Sequence, residues 1–273
     1  MERCRWRGSL WFQFILDRSL MNPEILDNCH KLLEAYQQWL LGYMKMPEDE
    51  HPDFSASEQE EKLCYFTLPM ALNYQRNSYK LRESALKSWK DSTTRDIFDV
   101  QNIAKMSEEE LREKLLKHKV ALQPNKHIQK PNKHIQTWKT ISHTIAEHWW
   151  SLLGLFEATG YDFLKLQEIV QKKYKSWFPY LSGPKIFHYW SYIIQRYGGI
   201  VLKNAEYIDI APDTHVTQCS VRLGVISEEE AKYLSKDQIS QRWREVLKWS
   251  GIHPIDLHSP LWFWSRNGFR FML

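Results

Sequence analysis

The sequence has no pair of cysteines at a spacing that could hold a metal ion or an iron–sulfur cluster. Its four cysteines, Cys4, Cys29, Cys64 and Cys219, are scattered without a CxxC or CxxxC unit, whereas metal sites in small structural motifs use closely spaced pairs. We therefore expect reduced thiols in a cytoplasmic protein that uses no metal and no other cofactor.

Long apolar runs and alternating strand patterns are also scarce. Charged residues interrupt every apolar stretch well before the roughly 20 residues that a membrane-spanning helix needs. The segment SLWFQFIL follows Arg5 and Arg7, but it lacks the small-residue cleavage site of a secretory signal. These absences predict an all-α protein without a membrane partner.

The composition is that of a folded chain with a large, ring-rich interior. Of its 273 residues, 43% are hydrophobic, and 13 Trp, 13 Tyr and 12 Phe supply aromatic side chains for a core or for stacking on a ligand. The formal net charge of +4 is compatible with a local phosphate-binding face but is far from that of a basic tail. We expect a monomer.

Helical spacing of apolar residues organises most of the chain. It predicts a helix over Pro23–Met44, with Pro23 at the first helical position, and a buried helix over Thr137–Leu155. Residues 1–21 are expected to be an N-terminal extension, because Met21-Asn22-Pro23 resembles a natural start. Residues 22–273 should then form one helical domain of two lobes, 57–155 and 22–56 plus 156–273. The unit PNKHIQ occurs twice in tandem and is predicted to be a duplication in a loop.

The stretch from Trp177 to Gly224 combines turn-forming residues with two placed charges. In PYLSGPK, Ser182 and Gly183 form a turn ahead of an apolar periodic run, so Lys185 falls in the first turn of a helix. Further on, Pro212 biases its predecessor towards extended geometry, and Asp213 can cap the helix that begins at THV. One amine and one carboxylate are thus predicted at the starts of two helices.

This order of elements resembles the helix-hairpin-helix, Gly/Pro-loop, aspartate motif of the base-excision DNA glycosylase superfamily. The resemblance implies that Lys185 is the Schiff-base lysine of a bifunctional glycosylase and AP lyase, and that Asp213 is the aspartate shared by nearly all members. The hairpin has one glycine, Gly183, where the commoner pattern has two. The interval from Lys185 to Asp213 is also longer than in the best-known members and is similar to that of the archaeal 8-oxoguanine glycosylases.

The resemblance implies a reaction mechanism and a binding partner. The amine would attack the anomeric carbon while the carboxylate stabilises a cationic sugar, and the positive end of a helix dipole favours the neutral, nucleophilic form of an amine. The implied partner is double-stranded DNA that contains a damaged base, and the implied location is cytoplasmic, beside the nucleoid in a prokaryote. An endonuclease III-like relative would carry a cysteine quartet near its C-terminus, and none is present.

A glycosylase must also grip the duplex and hold a flipped base between aromatic or apolar walls. Backbone N–H groups at a helix start suit a phosphate. The candidates for DNA contact are Ser182, Gly183, Gln75 and Arg76, and those for the base pocket are Trp190, Trp262, Trp264 and Phe269.

Each candidate has an alternative role. Lys185 could be a solvated hairpin lysine, Asp213 only a helix cap, and each ring part of the core. Two other functions fit the same residues: a helix-hairpin-helix module that binds nucleic acid without cleaving it, and a monofunctional N-glycosidase, for example one acting on free nucleosides or RNA.

Overall fold

The computed structural model describes residues 23–74, 76–122 and 133–273, and helices dominate these ranges. No β-strand forms in them; Asp162 and Lys203 make one isolated parallel bridge. The all-α prediction is therefore confirmed. The α-helices are α1 (Pro23–Gln37), α2 (Gln59–Leu72), α3 (Ser78–Lys90), α4 (Val100–Lys105), α5 (Glu108–Lys117), α6 (Lys133–Trp149), α7 (Leu152–Ala158), α8 (Phe163–Gln167), α9 (Pro184–Arg196), α10 (Thr214–Arg222), α11 (Glu230–Tyr233), α12 (Lys236–Leu247) and α13 (His258–Arg266).

Shorter helical turns connect these elements. A π-helical segment, Glu168–Lys173, continues α8 directly. The 3₁₀ helices are Ala56–Glu58, Arg95–Phe98, Lys175–Trp177, Ala205–Tyr207 and Pro254–Leu257.

The chain divides into two compact units. Among the described residues, the terminal unit combines 23–44 with Asp209–Leu273, and the central unit lies within Lys45–Ile208. The division differs from the expected lobes, which grouped residues 45–56 and 156–208 with the termini. Helix α9 belongs to the central unit, where it packs along α2, a contact that sequence periodicity does not reveal.

The core of the central unit is built around α2. Every residue from Leu63 to Leu72 on this helix is buried, and α3, α6, α7 and α9 pack around it. A helix that is apolar on all sides is typical of such a position. Thr67 satisfies its hydroxyl by donating to the carbonyl of Leu63 (2.7 Å) and accepts the indole N–H of Trp190 from α9 (2.9 Å).

The core of the terminal unit lies between α13, α10 and α1. Helix α13 packs along α10 on one side and contacts α1 on another. Trp243 of α12 is fully buried, and its indole N–H donates to Ser220 of α10 (2.8 Å). Asn267 donates its amide to the carbonyls of Leu41 and Tyr43, which fixes the chain after α1.

Two predicted helices end earlier than expected. Helix α1 stops at Gln37, and Trp39 adopts a left-handed backbone with φ 60°, so the prediction of a helix to Met44 is wrong for residues 38–44. The predicted Thr137–Leu155 helix is two helices, α6 and α7. Trp150 has φ 67°, and Ser151 caps α7 by accepting the N–H of Gly154 (2.9 Å).

Three cysteines are described, and all are buried and unpaired: Cys29, Cys64 and Cys219. Burial raises the pKa of the Cys29 thiol to about 12. In the described ranges, no group of three or more His, Cys, Asp or Glu is placed to hold a metal ion. None of the described helices is both long and apolar enough to cross a membrane.

Candidate functional site

The predicted turn and helix start are present in the central unit. We call residues 178–187 the hairpin. Its turn is closed by backbone hydrogen bonds from Ser182 N to Phe178 O (2.9 Å) and from Gly183 N to Tyr180 O (3.0 Å), with Tyr180 left-handed at φ 64°. Gly183 is the N-cap of α9, and Pro184 takes the first helical position, as predicted.

The start of α9 leaves two backbone donors without a cap. Pro184 has no N–H, and the first intrahelical bond runs from Phe187 N to Gly183 O (2.8 Å). Among the described residues, no side chain caps the N–H groups of Lys185 and Ile186. Uncapped N–H groups at the positive end of a helix dipole are a setting that suits an anion such as a phosphate.

Lys185 lies in the first turn of α9 and is partly exposed. Within the described part of the chain, its ammonium group has neither a carboxylate partner nor a hydrogen bond. Lys203, in the connection towards Asp213, is exposed. The backbone of Lys203 is fixed by bonds to Tyr161 O (2.7 Å) and from Phe163 N (3.0 Å).

Ser182 makes hydrogen bonds that stabilise the hairpin. Its side chain is buried, and the hydroxyl donates to the carbonyl of Lys175 (3.0 Å). The carbonyl of Ser182 in turn accepts the side-chain amide of Gln171 (3.2 Å). This serine therefore holds the turn together, and its hydroxyl is not turned outward as a donor for DNA.

Arg76 is also bound within the central unit. Its guanidinium donates to the carbonyls of Val120 and Lys119, the latter at 2.8 Å, and burial lowers its pKa to about 10. It thereby holds the loop after α5. Gln75, the other predicted DNA contact from this segment, lies outside the described residues.

Asp213 caps α10 in the terminal unit. Its Oδ1 accepts the backbone N–H of Val216 (2.9 Å), as predicted for an N-cap aspartate. Its Oδ2 accepts the indole N–H of Trp262 on α13 (3.0 Å). The side chain is only partly buried, and among the described residues it makes no ion pair, so its negative charge is not neutralised by a neighbouring cation.

Other polar residues surround this contact, and we call Asp213, His215, Gln218, Trp262 and Ser265 the Asp213 cluster. His215 Nδ1 and Ser265 Oγ are 3.0 Å apart, and Ser265 donates to Gln218 (2.8 Å). Sequence reasoning missed His215, Gln218 and Ser265. The spacing of Trp262 and Ser265 could have indicated Ser265, because residues three apart share a helix face and Trp262 was already a candidate.

The four predicted base-pocket rings are divided between the two units. Trp190 is fully buried in the core of the central unit, while the other three belong to the terminal unit. Trp264 is nearly buried and packs edge-on against Phe269, with a centroid separation of 4.8 Å. Trp262, in the same unit as Asp213, donates its indole N–H to that carboxylate. Lys185 and Asp213 belong to different units, the central and the terminal one.

A groove of about 320 Å³ lies beside Trp177 in the central unit. Lys139, His143 and Glu147 of α6 line it, and Trp177 is stacked on His148 with ring centroids 5.4 Å apart. The groove is open, its accessible lining surface is mostly apolar, and it contains none of the predicted site residues.

No protein-family model and no curated protein sequence matches this chain. The chemistry available to the hairpin and to the Asp213 cluster is therefore the basis for assigning a function.

Proposed function

We propose that the protein is a DNA glycosylase with associated AP lyase activity, which excises a damaged base from double-stranded DNA. The observation that carries this proposal is a pair of charged groups at two helix starts, in the order of the superfamily motif. Lys185 follows the hairpin in the first turn of α9, and Asp213 caps α10.

Lys185 is the proposed nucleophile. Its amine attacks C1′ of the sugar while the bond from C1′ to the base nitrogen breaks, with the bonding electron pair leaving on the base. The C1′–O4′ bond of the sugar then breaks, a proton passes from the lysine nitrogen to O4′, and the nitrogen forms a double bond to C1′, which gives a protonated Schiff base. The absence of a carboxylate partner among the described residues supports this role, because an ion pair would hold the amine in its charged, unreactive form.

Asp213 is the proposed stabiliser of the cationic sugar. Glycosidic cleavage passes through an oxocarbenium-like state that a nearby anion stabilises. The carboxylate accepts hydrogen bonds from Val216 N and from Trp262 Nε1 but has no cationic partner in the described ranges. Both bonds come from neutral N–H groups, and the carboxylate is proposed to face the sugar of the substrate.

The uncapped N–H groups at the start of α9 are proposed to hold a DNA phosphate. Such a contact positions the duplex without reading its sequence. The substrate is proposed to be an oxidised base, with 8-oxoguanine as the first candidate, because lysine-bearing members of the superfamily that the chain resembles often take oxidised bases.

A panel of end-labelled duplexes, each with one lesion, tests the proposal. The protein is used in excess, and the products are separated with and without alkali. We expect alkali-labile sites on at least one lesion duplex, strand cleavage without alkali on the same duplex, and neither on an undamaged control. Binding of every duplex without any cleavage would refute the proposal and favour the non-catalytic binding module. Cleavage that always requires alkali would favour a monofunctional glycosidase.

A further inference from the structure

We propose that Trp262 is a positioning residue for Asp213. Its indole N–H donates to Oδ2 of the carboxylate at 3.0 Å and so fixes the direction in which the negative charge faces. This inference rests on the proposed function, since it assigns a role within the same reaction.

The two hydrogen bonds on Asp213 act on different oxygens. Val216 N holds Oδ1 at 2.9 Å, and Trp262 Nε1 holds Oδ2 at 3.0 Å. A capping aspartate needs only one oxygen for its helix, and the second is then free to turn with the carboxylate. With both oxygens anchored, the plane of the carboxylate is set by two elements, the first turn of α10 and the indole of α13.

The indole is itself held by its neighbours. His215 packs edge-on against it, with ring centroids 5.4 Å apart and an interplanar angle of 71°. The guanidinium of Arg266 lies 4.7 Å from the indole centroid, and Phe263 meets the ring edge-on at 5.2 Å. The bond between His215 and Ser265 joins α10 to α13 beside the indole. These contacts restrict the orientation of the Trp262 indole and so hold its N–H donor in place.

A fixed carboxylate matters because the sugar becomes cationic only as the glycosidic bond breaks. A preorganised charge stabilises that state without having to reorient, whereas a mobile one loses part of this benefit. Trp262 should thus affect the chemical step more than duplex binding.

The first test compares Trp262→Phe with Trp243→Phe. Both changes remove an indole N–H that donates a hydrogen bond within the terminal unit, but Trp243 bonds to Ser220. On a lesion duplex that wild type cleaves, we expect Trp262→Phe to lower the single-turnover rate on the order of 10-fold, as for one hydrogen bond to a charged group. Its duplex Kd should stay within about twofold of wild type, and Trp243→Phe should cleave at nearly the wild-type rate.

A double-mutant cycle separates positioning from a general structural role. In an Asp213→Asn background, Trp262→Phe should have a smaller effect on the rate than in wild type, because the neutral amide is a weaker partner. An equal effect in both backgrounds would mean that Trp262 acts through the fold and would overturn the inference.

A third readout does not depend on activity. The indole ¹⁵N–¹H resonance of Trp262, identified by its loss in Trp262→Phe, should move when Asp213 is changed to Ala, and the Trp243 resonance should not. If wild type releases no base from any lesion, the proposed function fails, and the positioning role falls with it. Two results with an active wild type would overturn only the present inference. Either Trp262→Phe cleaves as fast as Trp243→Phe, or the Trp262 resonance does not shift in Asp213→Ala.

Discussion

Asp213 combines a structural and a proposed chemical role in one carboxylate. As the N-cap of α10 it contributes about 1 kcal/mol to stability, and its second oxygen accepts the indole N–H of Trp262. Asparagine keeps the shape and the capping oxygen but removes the charge. The substitution therefore separates the two roles.

We expect Asp213→Asn to slow base release by ~10²–10⁴-fold, the range for a positioned acid–base or charged group. Duplex affinity and the thermal unfolding midpoint should change little. Single-turnover rates, Kd and melting curves measured on one preparation check this. A rate within threefold of wild type would show that the carboxylate is only a cap.

At the scale of elements, the hairpin and the start of α9 form the proposed DNA grip. Gly183 does not need glycine for its backbone angle, since its φ is −63°. Space is the constraint, because an added Cβ would lie 3.1 Å from the carbonyl of Tyr180. A side chain there would also stand beside the uncapped N–H groups of Lys185 and Ile186.

We expect Gly183→Val to weaken duplex binding roughly tenfold, the value of one or two lost hydrogen bonds of about 1 kcal/mol each, while the protein remains folded. Fluorescence anisotropy at fixed salt measures this. Gly160→Ala is the matched control in the same unit, because Gly160 has φ +63° and open space around it. The control should lose stability but bind duplex normally; unchanged binding by folded Gly183→Val would exclude the hairpin as the grip.

The amino end of α6 provides a pH-dependent contact. His134 accepts the N–H of Leu122 (3.3 Å), and burial, with a smaller effect from the positive charge of Arg76, lowers its pKa to about 4. The pKa of a histidine in an unfolded chain is about 6.5. Because the unfolded state binds the proton more tightly, stability is full above about pH 6.5 and is lost as the pH falls towards 4.

We therefore expect His134→Gln to lose less stability than wild type between pH 7 and pH 5. Urea unfolding at several pH values in this range measures the difference. His143→Gln, on an exposed part of the same helix, controls for the loss of a histidine from α6. An equal pH dependence in wild type and His134→Gln would contradict the neutral state of this half-buried histidine.

Local signals in the sequence predicted local structure well. Asp213 caps α10 as predicted, because its carboxylate accepts the N–H of Val216, three residues further along the chain. The break at Trp150 was missed because the apolar pattern continues through it. Glu60 of α2, far away in the sequence, contributes to the break: its carboxylate accepts the N–H groups of Leu152 and Leu153 at the start of α7.

Contacts between distant residues could not be predicted in the same way. Trp262 was proposed as a pocket wall, but its bond to Asp213 joins positions far apart in the sequence. Trp190 was also proposed as a wall, yet its indole is satisfied by Thr67 inside the core. Apolar periodicity shows that a ring faces inward and does not distinguish a core from a pocket.

At the scale of the whole molecule, Lys185, the proposed nucleophile, belongs to the central unit, and Asp213, the proposed stabiliser of the cationic sugar, belongs to the terminal unit. A covalent intermediate identifies the nucleophile directly, because borohydride reduces a Schiff base between protein and DNA to a stable amine.

Borohydride trapping on a cleaved lesion duplex is thus the most direct measurement of the central claim. We expect wild type and Lys203→Ala to give a covalent protein–DNA adduct, and Lys185→Ala to give none while its duplex Kd stays near that of wild type. Peptide mapping of the wild-type adduct should place the modification on Lys185. An adduct that persists in Lys185→Ala, or the absence of any adduct from wild type on every lesion, would contradict the account.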